Sequence, residues 1–256
     1  MEYQRKYNKQ KAIFTVIITV VLLAVVLLVS FWIGQSMVSS NPVKTPLPDV
    51  TPTPVAGELA IKDPVLEEAI KKQLSVTGEL TKEDVESMEK LDYDEKTITD
   101  LTGLQYAVHL KELRIKLDVT SIEPIKNLHI EKLTFISDVS VQPLLVSMKE
   151  MSYIKYLDLS DCGVSSIGYI SELPRLETLI LDNNRISGLK YTSQMGTLTT
   201  LSLRNCGLKN ISAVAENVSI KSLYIDDNNI KDISVLETMR SLKDVSYSGN
   251  PIEDKK

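Results

Sequence analysis

Residues 157–164 read LDLSDCGV, and the same phrase returns as LILDNNRI at 179–186, LSLRNCGL at 201–208 and LYIDDNNI at 223–230. Each copy alternates apolar and variable residues, adds two polar residues, and then has Asn or Cys two residues before a last apolar residue. The first residues of these copies lie 22 positions apart. A fixed period of this length is typical of a solenoid, whose units bury their apolar sides only against their neighbours.

Looser copies extend the pattern in both directions. The first apolar residue of each of eight copies is Leu91, Leu113, Leu133, Leu157, Leu179, Leu201, Leu223 or Val245. After each copy the apolar residues recur at about every third position, which predicts a strand, a turn and a short 3₁₀ or helical return. We therefore predict an α/β solenoid over residues 91–256, a leucine-rich repeat arc with a parallel β-sheet on its concave face.

The sixth position of each copy has a structural role. An Asn side chain there is expected to point inward and to bond buried backbone groups. Cys162 and Cys206 occupy the same position two repeats apart, so their Cα atoms should be about 10 Å apart, too far for a disulfide. We predict two buried, reduced thiols. In the irregular copies Asp118 and Asp138 fall at this position, and residues 141–153 predict a longer return helix.

Residues 58–90 predict a helical cap before the first repeat. Asp63 precedes Pro64, which is typical of a helix N-cap followed by proline in the first turn. Thr81 and Asp84 have the spacing of a capping box. A solenoid needs such a cap to cover its first open edge.

The N-terminal residues predict a membrane anchor. Residues 12–33 contain no charged side chain, and a helix of that length can cross a bilayer core of about 30 Å. Residues 1–11 carry four basic side chains and one acidic, which predicts a cytoplasmic tail, a transmembrane signal-anchor helix at 12–34 and an exported remainder. A cleavable signal peptide is the alternative, although its apolar stretch is usually shorter.

Residues 35–57 predict a Pro/Thr-rich linker. Five of the ten prolines of the chain lie there, and they favour an extended, polyproline-like backbone. Such a segment either lifts the repeat domain away from the membrane or serves as a passive tether.

The composition argues against nucleic acid and catalysis. The whole chain carries −5, so the part after the basic tail is acidic, whereas nucleic-acid binding favours a basic face. The two histidines, His109 and His129, lie in repeat connections, and the sequence holds no metal-ligand spacing, phosphate loop or nucleophile motif. Asp226–Asn229 resembles a calcium loop only superficially. We predict no enzyme, no cofactor and no metal.

The concave face is the candidate binding site. Because strand residues alternate between the core and the outside, the residues flanking each buried position should line this face. Aromatic and aliphatic side chains among charges are typical of a protein interface. The predicted partner-binding residues are Tyr156, Asp158, Ile180, Asp182, Arg204, Tyr224 and Asp226.

The cap and first repeat carry a resemblance. Residues 61–74 (IKDPVLEEAIKKQL), 80–84 (LTKED) and 98–107 (ITDLTGLQYA) resemble the helical cap and first repeat of internalin-like bacterial surface proteins. The resemblance implies an envelope protein of the Gram-positive type whose concave face binds proteins. The chain departs from it in having an N-terminal anchor, no wall-sorting motif and no immunoglobulin-like domain after the repeats.

Together these features predict a single-pass membrane protein with a cytoplasmic N-terminus and an extracellular repeat domain that binds a protein partner. The alternative is a structural or regulatory scaffold of a cell-envelope membrane complex. The last copy, at residues 245–252, is followed by a short charged segment in this sequence, so either that segment caps the solenoid edge, or a partner or a second copy of the chain covers it by self-association.

Overall fold

The computed structural model describes residues 58–253, a helical cap followed by a repeat solenoid. The cap holds helices α1 (Pro64–Leu74) and α2 (Lys82–Glu86). The predicted anchor at 12–34 and the linker at 35–57 lie outside the described residues. Between 58 and 253, no helix is both long and apolar enough to traverse a lipid bilayer.

Helix α1 begins as predicted at Asp63. The Asp63 carboxylate accepts hydrogen bonds from the backbone N–H groups of Val65 and Leu66, and Pro64 lies in the first turn. The same carboxylate accepts bonds from the N–H and hydroxyl of Thr99 and from the N–H of Asp100, beyond the first strand. One buried side chain therefore both starts the helix and ties it to the first repeat.

Helix α2 confirms the predicted capping box. The Thr81 hydroxyl accepts a bond from the Asp84 N–H, and the Asp84 carboxylate accepts one from the Thr81 N–H. Val85 is fully buried and Leu80 packs against the core beside it. These contacts set the helix on the open end of the first repeat, as the cap role requires.

Eight parallel strands form one sheet in the described residues, in chain order. The strands are β1 Lys90–Ile98, β2 Glu112–Leu117, β3 Lys132–Ile136, β4 Tyr156–Asp158, β5 Thr178–Ile180, β6 Thr200–Ser202, β7 Ser222–Tyr224 and β8 Asp244–Ser246. The first apolar residues of all eight copies pair in register, from Leu91 opposite Leu113 to Leu223 opposite Val245. The predicted repeat register is therefore confirmed.

The core lies between the sheet and the returning segments. The leucine that opens each of the first seven copies is at most 1 % exposed, and full burial of such a side chain stabilises the fold by about 1.5–3 kcal/mol. The returns are 3₁₀ turns at Leu104–Tyr106, Gln142–Leu144, Ile170–Glu172, Thr192–Gln194, Ser212–Glu216 and Ser234–Thr238. Helix α3 (Leu145–Met148) extends the second of these turns, which confirms the longer return predicted at 141–153.

The sixth position bonds the backbone as predicted in the five copies that begin at Leu157, Leu179, Leu201, Leu223 and Val245. Asn184 donates to the carbonyls of Leu159, Leu181 and Asp182 and accepts from the N–H of Val164. Asn228 repeats this arrangement two repeats further along the solenoid. The neighbouring position toward the N-terminus is left-handed at Asp161, Asn183, Asn205 and Asp227, residue types that tolerate positive φ.

The two cysteines are free and buried, which confirms the structural prediction. The Cys162 Sγ donates to the Phe135 carbonyl at 3.3 Å, and the Cys206 Sγ donates to the Leu181 carbonyl at 3.1 Å. Burial raises the pKa of the Cys162 thiol to about 12 and that of the Cys206 thiol to about 11. A thiol with so high a pKa forms little thiolate and is a poor nucleophile.

The irregular third copy corrects one prediction. Ser137, not Asp138, takes the inward position, and its hydroxyl donates to the Leu117 carbonyl at 2.9 Å. The Asp138 carboxylate is exposed and pairs with Lys116 at 2.8 Å. Asp118 is likewise exposed. A small hydroxyl fills this site without the cost of burying a carboxylate.

Candidate functional site

The face of the sheet opposite the returning segments presents the residues that flank each buried strand position, and we call it the concave face after the predicted repeat arc. Five of the seven predicted partner-binding residues lie on two adjacent regions of this face: Tyr156, Asp158 and Ile180 near its middle, and Arg204 and Tyr224 beyond them. All five are half-buried, as is Asp182 between the two regions. Asp226 is different, because it is only 6 % exposed.

Arg204 is held by two carboxylates from the flanking repeats. Its Nη1 lies 3.3 Å from Oδ2 of Asp182, and its Nε lies 3.0 Å from Oδ2 of Asp226. The Ser202 hydroxyl accepts a further bond from Nη1 at 2.9 Å. Burial opposes the charged form, but the two carboxylates raise the pKa of the Arg204 guanidinium above its usual range. The guanidinium is thus fixed across three adjacent strands.

Asp226 lies beneath this arginine. Its Oδ1 accepts bonds from the Ser246 hydroxyl and from the hydroxyl and N–H of Ser248 in the last repeat. Burial alone would raise the pKa of Asp226, yet these hydrogen bonds and Arg204 lower it to about 2. Both oxygens of this carboxylate accept hydrogen bonds from within the protein, so Asp226 stabilises the positions of the surrounding side chains. Its role as a partner contact stays a prediction, and in this structure its carboxylate is almost fully buried.

Tyr224 completes the Arg204 cluster. The guanidinium carbon of Arg204 lies 4.5 Å from the centroid of the Tyr224 ring, a distance typical of a cation–π contact. The Tyr224 hydroxyl donates to the Asp244 carboxylate, which raises the pKa of the phenol. Both ends of the tyrosine are thereby restrained, so it presents a pre-oriented ring edge at the surface.

A second arginine fixes the other end of the face. Arg114 binds Asp92 through Nη1 at 2.9 Å and Asp94 through Nη2 at 2.8 Å. These bonds raise the pKa of the Arg114 guanidinium. Lys90 lies 3.6 Å from Asp92 and 3.7 Å from Glu112, at ion-pair distance. Most charges at this end are therefore neutralised by neighbours on the same face.

Between the two arginine clusters the face is mostly uncharged. Its half-buried side chains there are Thr134, Ile136, Tyr156, Asp158, Ser160, Thr178, Ile180 and Thr200. The Lys132 ammonium lies 5.1 Å from the Tyr156 ring centroid. Asp158 accepts bonds from the N–H and hydroxyl of Ser160, and no basic side chain of residues 58–253 forms an ion pair with it. We define the central patch as Ile136, Tyr156, Asp158, Thr178 and Ile180.

The central patch has the chemistry of an interface core. A protein interface buries aromatic and aliphatic side chains at its centre and keeps charges toward its rim. Ile180 and Tyr156 supply apolar area, and Asp158 supplies one carboxylate whose ionic partner must come from outside this part of the chain. The arrangement suits a protein surface with an apolar projection beside a basic residue.

Sequence reasoning missed the serines that position the site. Ser202 is 2 % exposed and donates to Asp182 at 2.6 Å, and Ser246 donates in the same manner to Asp226. The signal was present in the sequence. Each Asp stands three residues after the first leucine of its copy, and each Ser follows the first apolar residue of the next copy.

Other chemistry-bearing residues do not form a site. Within the described range, no group of three or more His, Cys, Asp or Glu side chains could hold a metal ion. His129 stacks on Tyr153 with ring centroids 3.7 Å apart, and Arg175 lies 4.6 Å from the same tyrosine ring. This stack lies in the segments that lead into the strands, away from the concave face. His109 is exposed in an earlier connection of the same kind.

Comparison with known proteins supports the fold. No family model and no curated protein matches the chain. The structure is similar to that of an internalin C2 from Listeria monocytogenes, with 28 % identity and a TM-score of 0.66 over 75 % of this chain and 86 % of that one. It is also similar to an internalin (inlF) of the same organism, with 25 % identity and a TM-score of 0.66 over 75 % of this chain and 58 % of that one.

A leucine-rich repeat protein of Leptospira interrogans shares the fold alone, at 20 % identity and a TM-score of 0.51 over 66 % of this chain and 51 % of that one. The all-parallel, in-register sheet and the two internalin structures lead to one conclusion. The described residues form a leucine-rich repeat solenoid that is similar to those of the two internalins.

Proposed function

We propose that this protein is anchored in the cell membrane by residues 12–34 and binds a protein partner outside the cell through the central patch of its concave face. The observation that carries the binding proposal is the contrast along that face. Arg114 and Arg204 form ion pairs with neighbouring carboxylates. Between them, Tyr156 and Ile180 have apolar surface that a partner can bury, and Asp158 has a charge that a partner can pair.

The paired ends of the face favour specificity over indiscriminate attraction. A fixed ion pair gives a partner a defined pattern of charge, and exposed ion pairs of this kind contribute only about 0–1 kcal/mol to stability. Most of the binding energy should then come from a few apolar or aromatic anchors near the centre. Ile180 and Tyr156 are the described residues best placed for this role.

The anchor proposal rests on the sequence. Residues 12–33 are uncharged, and the basic residues before them favour a cytoplasmic N-terminus. Mass spectrometry of the mature N-terminus tests it, because a mature chain that begins after residue 34 would mean that the segment is cleaved. Protease added to intact cells should remove the repeat domain and leave residues 1–11 protected.

The binding site is tested by photo-cross-linking in the native membrane. The full chain carries a photoreactive amino acid at Ile180 in the central patch or, as a control, at Val218, which is 80 % exposed outside the patch. A specific partner should be captured from position 180 and not from 218. Ile180→Asp should then reduce its affinity by about tenfold or more, as expected for an interface anchor worth over about 1 kcal/mol.

The same experiment distinguishes the two roles of the protein. A captured ligand that is secreted or belongs to another cell indicates adhesion, whereas a co-resident membrane protein indicates a scaffold of an envelope complex. Equal capture from positions 180 and 218, or an unchanged affinity of Ile180→Asp, would place the site elsewhere.

A further inference from the structure

The last strand, β8, leaves apolar side chains at the surface. The residue before and the residue after Ser246 occupy core-side positions, yet Val245 is 37 % exposed and Tyr247 is 40 % exposed. The equivalent residues one repeat earlier, Leu223 and Ile225, are fully buried. The difference arises because no further repeat packs on this side of β8 within the described residues.

The backbone hydrogen bonds between β7 and β8 show which residues of β8 face its open edge. The Asp244 N–H donates to Lys221, and the Ser246 and Ser248 carbonyls accept from Ile225 and Asp227. The even-numbered residues therefore face β7. Because the backbone groups of successive strand residues point to opposite edges, Val245 and Tyr247 direct their N–H and C=O groups toward the open edge.

This alternation allows the β8 strands of two copies of the chain to pair about a two-fold axis. If a two-fold axis passes through Ser246, Val245 of one copy stands opposite Tyr247 of the other in an antiparallel pair. Both are residues whose backbone groups face the open edge, so each pair can exchange two N–H···O bonds. The Tyr247 carbonyl already accepts from Asn250 at 2.9 Å and has a second lone pair for the new bond.

The side chains select the same axis. An axis through Ser246 sets the two exposed apolar residues against each other and places Asp244 opposite a neutral Ser248. An axis through Asp244 would bring two carboxylates together, which is destabilising. An axis through Val245 would set Val245 opposite itself but place Tyr247 opposite Lys243, so only one of the two apolar side chains would meet an apolar partner.

We infer that β8 is a homodimerisation edge, at which a second copy of this chain pairs antiparallel about Ser246 and joins the two sheets into one. The occupant is a second copy because the edge is self-complementary in hydrogen-bond phase, in apolar surface and in charge. Pairing in this way covers an exposed edge that would otherwise be open to unspecific association.

The test is disulfide cross-linking of the full chain in membranes and in detergent. In Ser246→Cys the two new thiols lie on the axis, with Cα atoms about 4.5 Å apart in a non-hydrogen-bonded pair, inside the range for a disulfide. Ser248→Cys is the matched control on the same strand and face. Its two thiols would be separated by four residues along the strands, about 13 Å, which is too far.

The native Cys162 and Cys206 are buried, so the introduced thiol is the reactive one. Mild oxidation of Ser246→Cys should convert most of the protein to a reducible species of twice the 28.6 kDa chain mass, and Ser248→Cys should remain monomeric. Val245→Asp added to Ser246→Cys should abolish the cross-link with an unchanged circular dichroism spectrum.

Light scattering of the unmodified full chain should give a dimer that dissociates on dilution. Equal cross-linking of the two cysteine variants, a cross-link that survives Val245→Asp, or a monomer mass at every concentration would overturn the inference. A monomer that dimerises only when another protein is added would likewise assign the edge to a different occupant.

Discussion

The inward-facing Asn and Cys side chains form a ladder of hydrogen bonds to the backbone along the solenoid. Substitution of Asn228 measures what this ladder contributes to stability. The Asn228 side chain is 4 % exposed, donates to the carbonyls of Leu203, Ile225 and Asp226 and accepts from the N–H groups of Cys206 and Leu208. Asn228→Ala leaves three of these groups without a partner: the Leu203 carbonyl and the N–H groups of Cys206 and Leu208. The Ile225 and Asp226 carbonyls still accept from the Asn250 side chain and the Asn205 N–H. An unsatisfied buried group costs about 1–3 kcal/mol, and water that enters the vacated space can recover part of this.

The lower figure applied to these three groups gives a loss of about 3 kcal/mol. For a domain of this size each kcal/mol shifts the melting temperature by about 2–4 °C, so Asn228→Ala should melt about 10 °C lower. The assay is thermal unfolding of the full chain in detergent, followed by circular dichroism. Asn229→Ala, which truncates the exposed neighbouring residue, is the matched control and should change the melting temperature by less than about 2 °C.

Asn228→Cys sharpens the test, because the chain itself uses cysteine at this position in two other copies. The Cys206 thiol donates to the Leu181 carbonyl at 3.1 Å, and a thiol at 228 could reach the Leu203 carbonyl in the same manner. The loss for Asn228→Cys should therefore be roughly half that of Asn228→Ala. The ladder does not stabilise the solenoid in the way described if Asn228→Ala and Asn229→Ala have the same melting temperature. The same conclusion follows if Asn228→Cys is less stable than Asn228→Ala.

Three further predictions follow from single groups. The pKa of Asp226 is lowered from 3.8 to about 2, so its ionised form stabilises the fold above about pH 4 by about 2 kcal/mol, a contribution lost as the pH falls toward 2. Urea titrations at several pH values should show that Asp226→Asn lowers stability at pH 7 and removes part of this acid-dependent loss, whereas the exposed Asp227→Asn should leave both unchanged. The thiols of Cys162 and Cys206 should resist a thiol reagent at pH 8 in the native state and react fully in denaturant, because burial raises both pKa values. Asp63→Ala should destabilise the cap by about 2 kcal/mol or more, since it removes an N-cap and the bonds to Thr99 and Asp100, and hydrogen exchange should show faster opening of α1 than of β5.

Each of these predictions has a contrary result. An identical pH profile for the unmodified chain and Asp226→Asn would remove the stabilising role of that carboxylate. Rapid labelling of folded protein would mean that the cysteines open to solvent. Unchanged protection of α1 in Asp63→Ala would show that packing of its apolar side alone holds the helix.

Several features of the fold could be read directly from the residues, because repetition makes local chemistry report on the whole architecture. The 22-residue period predicted the strand register, which holds from Leu91 to Val245. Asp63 with Pro64, and Thr81 with Asp84, predicted both helix starts, since capping depends on residues close in sequence. The inward Asn position predicted the free, buried cysteines for the same reason.

The functional surface was only partly predictable. The predicted alternation agrees with the burial pattern of β4 and β5, in which Tyr156 and Ile180 are half-buried beside fully buried leucines, and their binding role stays a prediction. The same rule also placed Asp226 on the concave face, but its burial depends on Ser246 and Ser248 from the next repeat and on Arg204 from the preceding one. Likewise Ser137, and not Asp138, bonds the backbone in the copy that begins at Leu133, which counting residues does not show.

The sequence alone determined the period, the strand register, the helix caps and the structural role of the cysteines, because each depends on residue types at fixed short spacings. The tertiary structure decided which charges of the concave face neutralise one another and which remain available to a partner. It also decided that Val245 and Tyr247 stay exposed at β8. These properties depend on contacts between side chains about 20 or more residues apart, whose geometry is set only when neighbouring repeats stack.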